Sequence, residues 1–239
     1  PGTSIGGTDT GITIGGTLIN NGTVTLSTNA GGSILVGIGG VSLDIDGAGI
    51  VNNGSIFVHA SDVAVFATAI AGGVIVTDVS DTAFLNSTGA SLTVEAVASG
   101  TGSTTLGGPS PVTARAVGVA QSASDSAQVT NNGIINVLAD ADIVPGAAWT
   151  SNAANATAIG IAQQVAFFGA NRAGVNNAGI MNVTADAFST NNGLSVNAVA
   201  QAYAVGIDQD VFSTDGNVTA EVTNLGDINV KAVAQAIGT

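Results

Sequence analysis

Val129-Thr130-Asn131-Asn132-Gly133-Ile134-Ile135-Asn136-Val137-Leu138-Ala139-Asp140-Ala141-Asp142 alternates in character from one residue to the next. Val129, Asn131, Gly133, Ile135, Val137, Ala139 and Ala141 share one face of an extended chain, while Thr130, Asn132, Asn136, Asp140 and Asp142 fall mainly on the other. Period two marks a strand with one buried face. The same register runs from Val175 through Asn177, Gly179, Met181, Val183, Ala185 and Ala187, and again from Val222 through Asn224, Gly226, Ile228, Val230, Ala232 and Ala234. Looser copies occupy Leu18–Val24, Ile50–Ile56 and Leu85–Gly89; the last has one extra residue between its glycine and the next apolar position, which a bulge would absorb. Glycines 22, 54, 89, 133, 179 and 226 therefore head six copies, spaced 32 to 47 residues apart. A unit of that length cannot bury its own apolar face and must stack on its neighbours.

Five copies place an asparagine two residues before the glycine, at Asn20, Asn52, Asn131, Asn177 and Asn224; the sixth has Ser87 there. Stacked copies would join these amides into a ladder, each satisfied by its equivalent in the next coil. The other reading of Asn-Gly is a simple surface turn, which gives no reason for a fixed offset repeated five times. A second motif follows each corner, clearest in Ala114–Gln121, Ala156–Gln163 and Ala202–Gln209, with Ala or Gly at alternate positions. Such a small-residue face invites close approach of another sheet. Gln121, Gln163 and Gln209 sit three residues after its glycine, either as a second amide stack or as exposed polar filler. Ala232–Gly238 resembles Ala198–Gly206 and is expected to begin one more copy of this second motif. Residues 99–111 and 143–152 read as loops on the flank.

Composition narrows the class. Charged residues make up only 8%, aromatics 4%, and there are 34 glycines, so the core must be thin and built from Ala, Val and Ile. The net charge of −13 removes the cationic surface that nucleic acid or an anionic membrane requires. Cysteine is absent, which excludes disulfides and thiol chemistry. The charge-free stretch before Asp44 is broken by Thr, Asn, Ser and Gly and does not read as a membrane span. Pro1-Gly2-Thr3-Ser4-Ile5 lacks the features of a signal peptide, so a mature or excised chain is expected. The expected fold is all-β, one β-solenoid over residues 1–239 of about five to six imperfect repeats, without evident capping repeats.

Val-x-Asn-x-Gly-x-Ile-x-Val-x-Ala followed by Ala-x-Ala-x-Gly-Ile-x-Gln resembles the β-strand repeat regions of large bacterial surface proteins, the autotransporter passenger-like and adhesin-like arrays. The resemblance covers Leu18 to Thr239. It implies a right-handed parallel β-helix, in line with the usual crossover rule, that is secreted to the extracellular space or cell surface as a fibre, stalk or biofilm-matrix component. The partner expected is the chain itself, by head-to-tail stacking of open ends or as the continuation of a longer array. A second reading is an adhesin passenger that contacts glycans or cell surfaces through the flank loops, with Trp149 and Tyr203 as exposed aromatics. A third is a polysaccharide-active enzyme on a β-helix scaffold.

Catalytic chemistry has little to stand on in the sequence. The one histidine, His59, alternates outward with Phe57 as a solvated strand residue, no second histidine exists for zinc, and no nucleophile shows a base beside it. No cofactor is required. Calcium is the cation the acids admit, because Asp44 with Asp46, Asp140 with Asp142, and Asp208 with Asp210 each place two carboxylates about 7 Å apart on one strand face. The glycine-rich nonapeptide of calcium β-rolls is missing. Six Asn-x-Ser/Thr sequons, at Asn21, Asn53, Asn86, Asn155, Asn182 and Asn217, are what so Asn- and Thr-rich a chain yields by coincidence.

Overall fold

The computed structural model describes residues 3–6, 10–13, 17–29, 34–41, 48–64, 67–77, 80–101, 110–144, 151–167, 170–191 and 197–238. Each turn of the chain lays one strand into each of three sheets, A, B and C in that order. The first coil holds β1 (Thr3–Gly6), β2 (Thr10–Thr13) and β3 (Thr17–Asn20), the second β4 (Thr23–Asn29), β5 (Ile34–Val41) and β6 (Ala48–Asn52), and the third β7 (Ser55–Ala64), β8 (Thr68–Thr77) and β9 (Asp81–Asn86). Next come β10 (Ser91–Thr101), β11 (Ser110–Ala123) and β12 (Ser126–Asn131), then β13 (Ile134–Val144), β14 (Ser151–Phe167) and β15 (Asn171–Asn177). The sixth coil is β16 (Ile180–Asn191), β17 (Asn197–Ser213) and β18 (Val218–Asn224), and β19 (Asp227–Gly238) follows in sheet A. Every strand pairs in parallel with its equivalent in the adjacent coil. The chain is an all-β parallel solenoid with three faces per coil.

Residues of one file share a chemical type because each sits directly over its equivalent. Sheet A sends in Leu26, Val58, Val94, Val137 and Val183 in one file and Ile56, Leu92, Ile135 and Met181 in the next, all buried. Farther along the same strands the inward residues shrink to alanine, at Ala96, Ala139 and Ala185, and Ala98, Ala141 and Ala187. Sheet B answers with Ala114, Ala116, Ala156 and Ala158, so the two sheets close to a thin wedge of methyl groups. The wedge widens toward sheet C, where Phe84, Val129 and Val175 fill the space.

The second motif bends where its glycine lies. In β11 the buried residues are Val112, Ala114 and Ala116, then Gly118 and Val119 together, then Gln121 and Ala123. Two inward residues in succession reverse the alternation, and the pairing with β14 steps from Val117↔Ile159 to Val119↔Ile161. The offset between β11 and β14 is the same before and after Gly118, so no residue is inserted in one strand against the other. It is a bend shared by successive coils that turns the end of each sheet-B strand away from the main core, and among the described residues of this sheet the register itself shifts only between β5 and β8, at Val36/Ile38. A Cβ on Gly118 would lie 2.5 Å from the Gly160 carbonyl oxygen and 2.8 Å from Val137, so only glycine fits beneath the valine file. Beyond the bend Ala123, Ala127, Val165 and Ala173 form a separate small core.

Four expectations need correction. The alternation starting at Val129 spans two strands, β12 in sheet C and β13 in sheet A; the two-residue corner preserves parity, so the pattern runs through the bend unbroken. In the Leu85 copy the stacked asparagine is Asn86, in register with Asn52 and Asn131, and Ser87 is not its counterpart. The residue equivalent to the corner glycines is Ala90, whose carbonyl accepts from Ile134 N–H as Gly22 accepts from Ser55; Gly89 sits in an added turn with φ of 80°. Finally, Ala232–Gly238 belongs to sheet A, in register with Ala185–Asn191, and not to the second motif. Its alanines match both alanine files, which is why sequence alone assigns it ambiguously.

Candidate functional site

The corner between sheets C and A carries a continuous chain of side-chain amides. Asn20 donates Nδ2–H to Asn52 Oδ1 at 2.8 Å, Asn52 to Asn86 at 2.9 Å, Asn86 to Asn131 at 2.8 Å, and Asn131 to Asn177 and Asn177 to Asn224 at 2.7 Å each. Each Nδ2 also reaches a backbone carbonyl just past the corner from the asparagine it donates to: Ser55, Ser91, Ile134, Ile180 or Asp227. The Oδ1 of Asn20, Asn52 and Asn131 accepts the N–H of the corner glycine two residues on. Those backbone partners fix which amide atom is which and explain the choice of asparagine. Serine lacks the second arm, aspartate lacks the donor, and glutamine is too long for the i+2 turn.

A second chain runs through the bent ends of sheet B with opposite polarity. Gln209 donates Nε2–H down to Gln163 Oε1, and Gln163 donates to Gln121, both at 2.8 Å. Gln121 ends the file on the Gln128 carbonyl. The three glutamines separate the main core from the small one beyond the bend.

Two further files were not singled out from sequence. Asn229 donates to Asn182, and Asn182 to Asn136, on the outer face of sheet A. At the exposed corner Ser87 donates to Asn53, and Asn53 to Asn21. The signal of the first was an asparagine three residues after the glycine in copies four to six, and that of the second a polar side chain directly after the ladder asparagine in copies one to three. The amides of Asn86 and Asn182 are thus engaged within the fold rather than presented as free sequons.

No protein-family model, curated protein or solved structure matches this chain. What it does has to be read from its own surfaces. Asp140 and Asp142 point outward from β13, and Asp186 of β16 stands directly beside Asp140. Burial first, then Asp142 and Asp186, pushes the Asp140 carboxyl up to about 6; burial and Asp186 also raise Asp142. Asp208 and Asp210 are exposed on β17, at one end of a shallow trough of about 280 Å³ floored by Ile75, Ala120 and Ala162. Among the described residues no three His, Cys, Asp or Glu side chains converge as a metal site would need. Asp44, Asp46, Trp149 and the greater part of both flank loops lie outside the described residues; Tyr203 is exposed on the outer face of sheet B.

The crowded aspartates give a pH-dependent stability. The folded chain holds a proton at Asp140 more tightly than the unfolded chain, whose carboxyl titrates near 3.8, so stability falls as pH rises from about 4 to 6 and stays lowered above that. Asp140→Asn should stabilise the protein at pH 7.5 by about 1–2 kcal/mol, the rise of the carboxyl to about 6 discounted for partial solvation, and leave it unchanged at pH 3.5. Urea unfolding at the two pH values tests this; equal stabilisation at both would show that charge crowding is not the cause.

His59 faces outward on β7, its ring stacked on Phe57 at 6.1 Å and its Nδ1 3.3 Å from Glu95 Oε2. The register sets Ser27 of β4, His59 and Glu95 side by side in one file.

Proposed function

We propose that the chain is a structural β-solenoid, a secreted fibre, stalk or matrix component whose work is extension, stiffness and self-association, with no enzymatic task as its main role. The observation that carries this reading is the unbroken amide chain from Asn20 to Asn224 beside three fully parallel sheets. Bending or sliding one coil on the next must break backbone ladder bonds and an amide link together, which makes the spiral resist shear along its whole length. Coils recognise each other by repeating the same edge, so a further coil of this kind, from a second copy or from the same polypeptide, is the matching partner. The acidic surface keeps such edges from associating indiscriminately.

Electron microscopy of the purified chain in negative stain should show filaments of constant width. Short discrete particles at every concentration would overturn the self-association.

A further inference from the structure

We propose that Ser27, His59 and Glu95 constitute a hydrolytic site for activated esters on the outer face of sheet A. β7 lies between β4 and β10, so the exposed Ser27 and the half-buried Glu95 flank the chain's one histidine from opposite sides, each one strand spacing of about 4.8 Å away. Glu95 can only accept, so its contact with Nδ1 selects the tautomer that is protonated there and leaves Nε2 as the base. The Phe57 ring, stacked nearly parallel to the imidazole at 6°, holds its plane. Serine, histidine and carboxylate 32 and 36 residues apart in sequence are thereby in the order that nucleophilic catalysis requires.

In the first step the Ser27 hydroxyl gives its proton to His59 Nε2 as Oγ attacks the ester carbonyl. The carbon–oxygen bond to the leaving alcohol breaks, and the imidazolium returns the proton to that oxygen. Water then attacks the acyl-serine, His59 takes its proton and passes it to Ser27 Oγ, and the carboxylic acid leaves. Ser27 and His59 are the catalytic residues; Glu95 is a positioning residue. β4, β7 and β10 are paired on both sides, so their backbone N–H groups are committed to the ladders and do not assemble an oxyanion hole. That restricts the site to acyl donors with good leaving groups, at rates given mainly by general-base help of about 10²–10⁴.

The test is labelling of the full chain with a fluorophosphonate probe, located by peptide mass, alongside hydrolysis of p-nitrophenyl acetate. The adduct should fall on Ser27, and Ser27→Ala and His59→Gln should each lower labelling and hydrolysis at least about 100-fold while the unfolding midpoint stays put. Glu95→Gln should shift the pH profile of hydrolysis to lower pH, with Glu95→Asp restoring part of it, a change that a purely structural role would not produce. An unlabelled wild-type chain, an adduct on another serine, or labelling undiminished in His59→Gln would overturn the proposal.

Discussion

Asn131→Ala should lower the stability of the chain by about 3–4 kcal/mol, among the largest effects of any single side-chain truncation in it. Asn131 is fully buried and sits at the middle of the corner chain, accepting from Asn86 and Gly133 N–H and donating to Asn177 and the Ile180 carbonyl. Each bond contributes about 1 kcal/mol net, and truncation strands partners that water cannot reach, with a small cavity added. Asn131→Asp should be worse, because it sets a carboxylate oxygen against Asn177 Oδ1 and buries a charge without a counterion. The comparison that isolates burial is Asn136→Ala. Asn136 accepts from Asn182 on the outer face, where water can replace it, and the loss should stay below about 0.5 kcal/mol. Urea unfolding of the three variants measures all of this. If Asn131→Ala and Asn136→Ala cost the same, the inner ladder is a by-product of stacking and not a source of its strength.

What the sequence made legible follows from parity. Alternation and the fixed Asn-x-Gly offset identify strands, the inward face and the stacking amides, since each depends only on near neighbours along the chain. Asn86 escaped because the added Ser87–Gly89 turn separates it from Ala90, and only the register across coils shows that Asn86, not Ser87, sits over Asn52. The number of faces was hidden for a related reason. The strand before each corner and the strand after it keep one alternation, so two sheets read as one strand. The paired strain of Asp140 and Asp186, and the file of Ser27, His59 and Glu95, are lateral relations between residues 32 to 46 apart. Local periodicity carries no information about which outward residues become neighbours; that depends on the length of every loop between them.

The second large effect is expected at the corner glycines, where Gly179→Ala should destabilise the chain by at least about 3 kcal/mol or prevent its folding. A Cβ on Gly179 would lie 2.0 Å from the Gly133 carbonyl oxygen and 2.8 Å from Gly133 N, and both are backbone. No rotamer change can relieve that contact; the coils must part, and the hydrogen bond that Asn131 Nδ2 donates to Asn177 Oδ1 parts with them. Gly54 and Gly226 meet the carbonyls of Gly22 and Gly179 at the same 2.0 Å, so the steric rule is one of the corner and not of one site. Ala90 shows how the chain itself escapes it: where alanine replaces glycine, two more residues separate it from the ladder asparagine and re-aim the corner. Gly89 provides the contrast, since a Cβ there would meet nothing within 4 Å and only its φ of 80° opposes substitution. Gly89→Ala should therefore cost about 1 kcal/mol, and Gly89→Asn less, because asparagine tolerates the left-handed region. Thermal unfolding that ranks Gly179→Ala no worse than Gly89→Ala would mean that adjacent coils are spaced more widely than the stacked amides require.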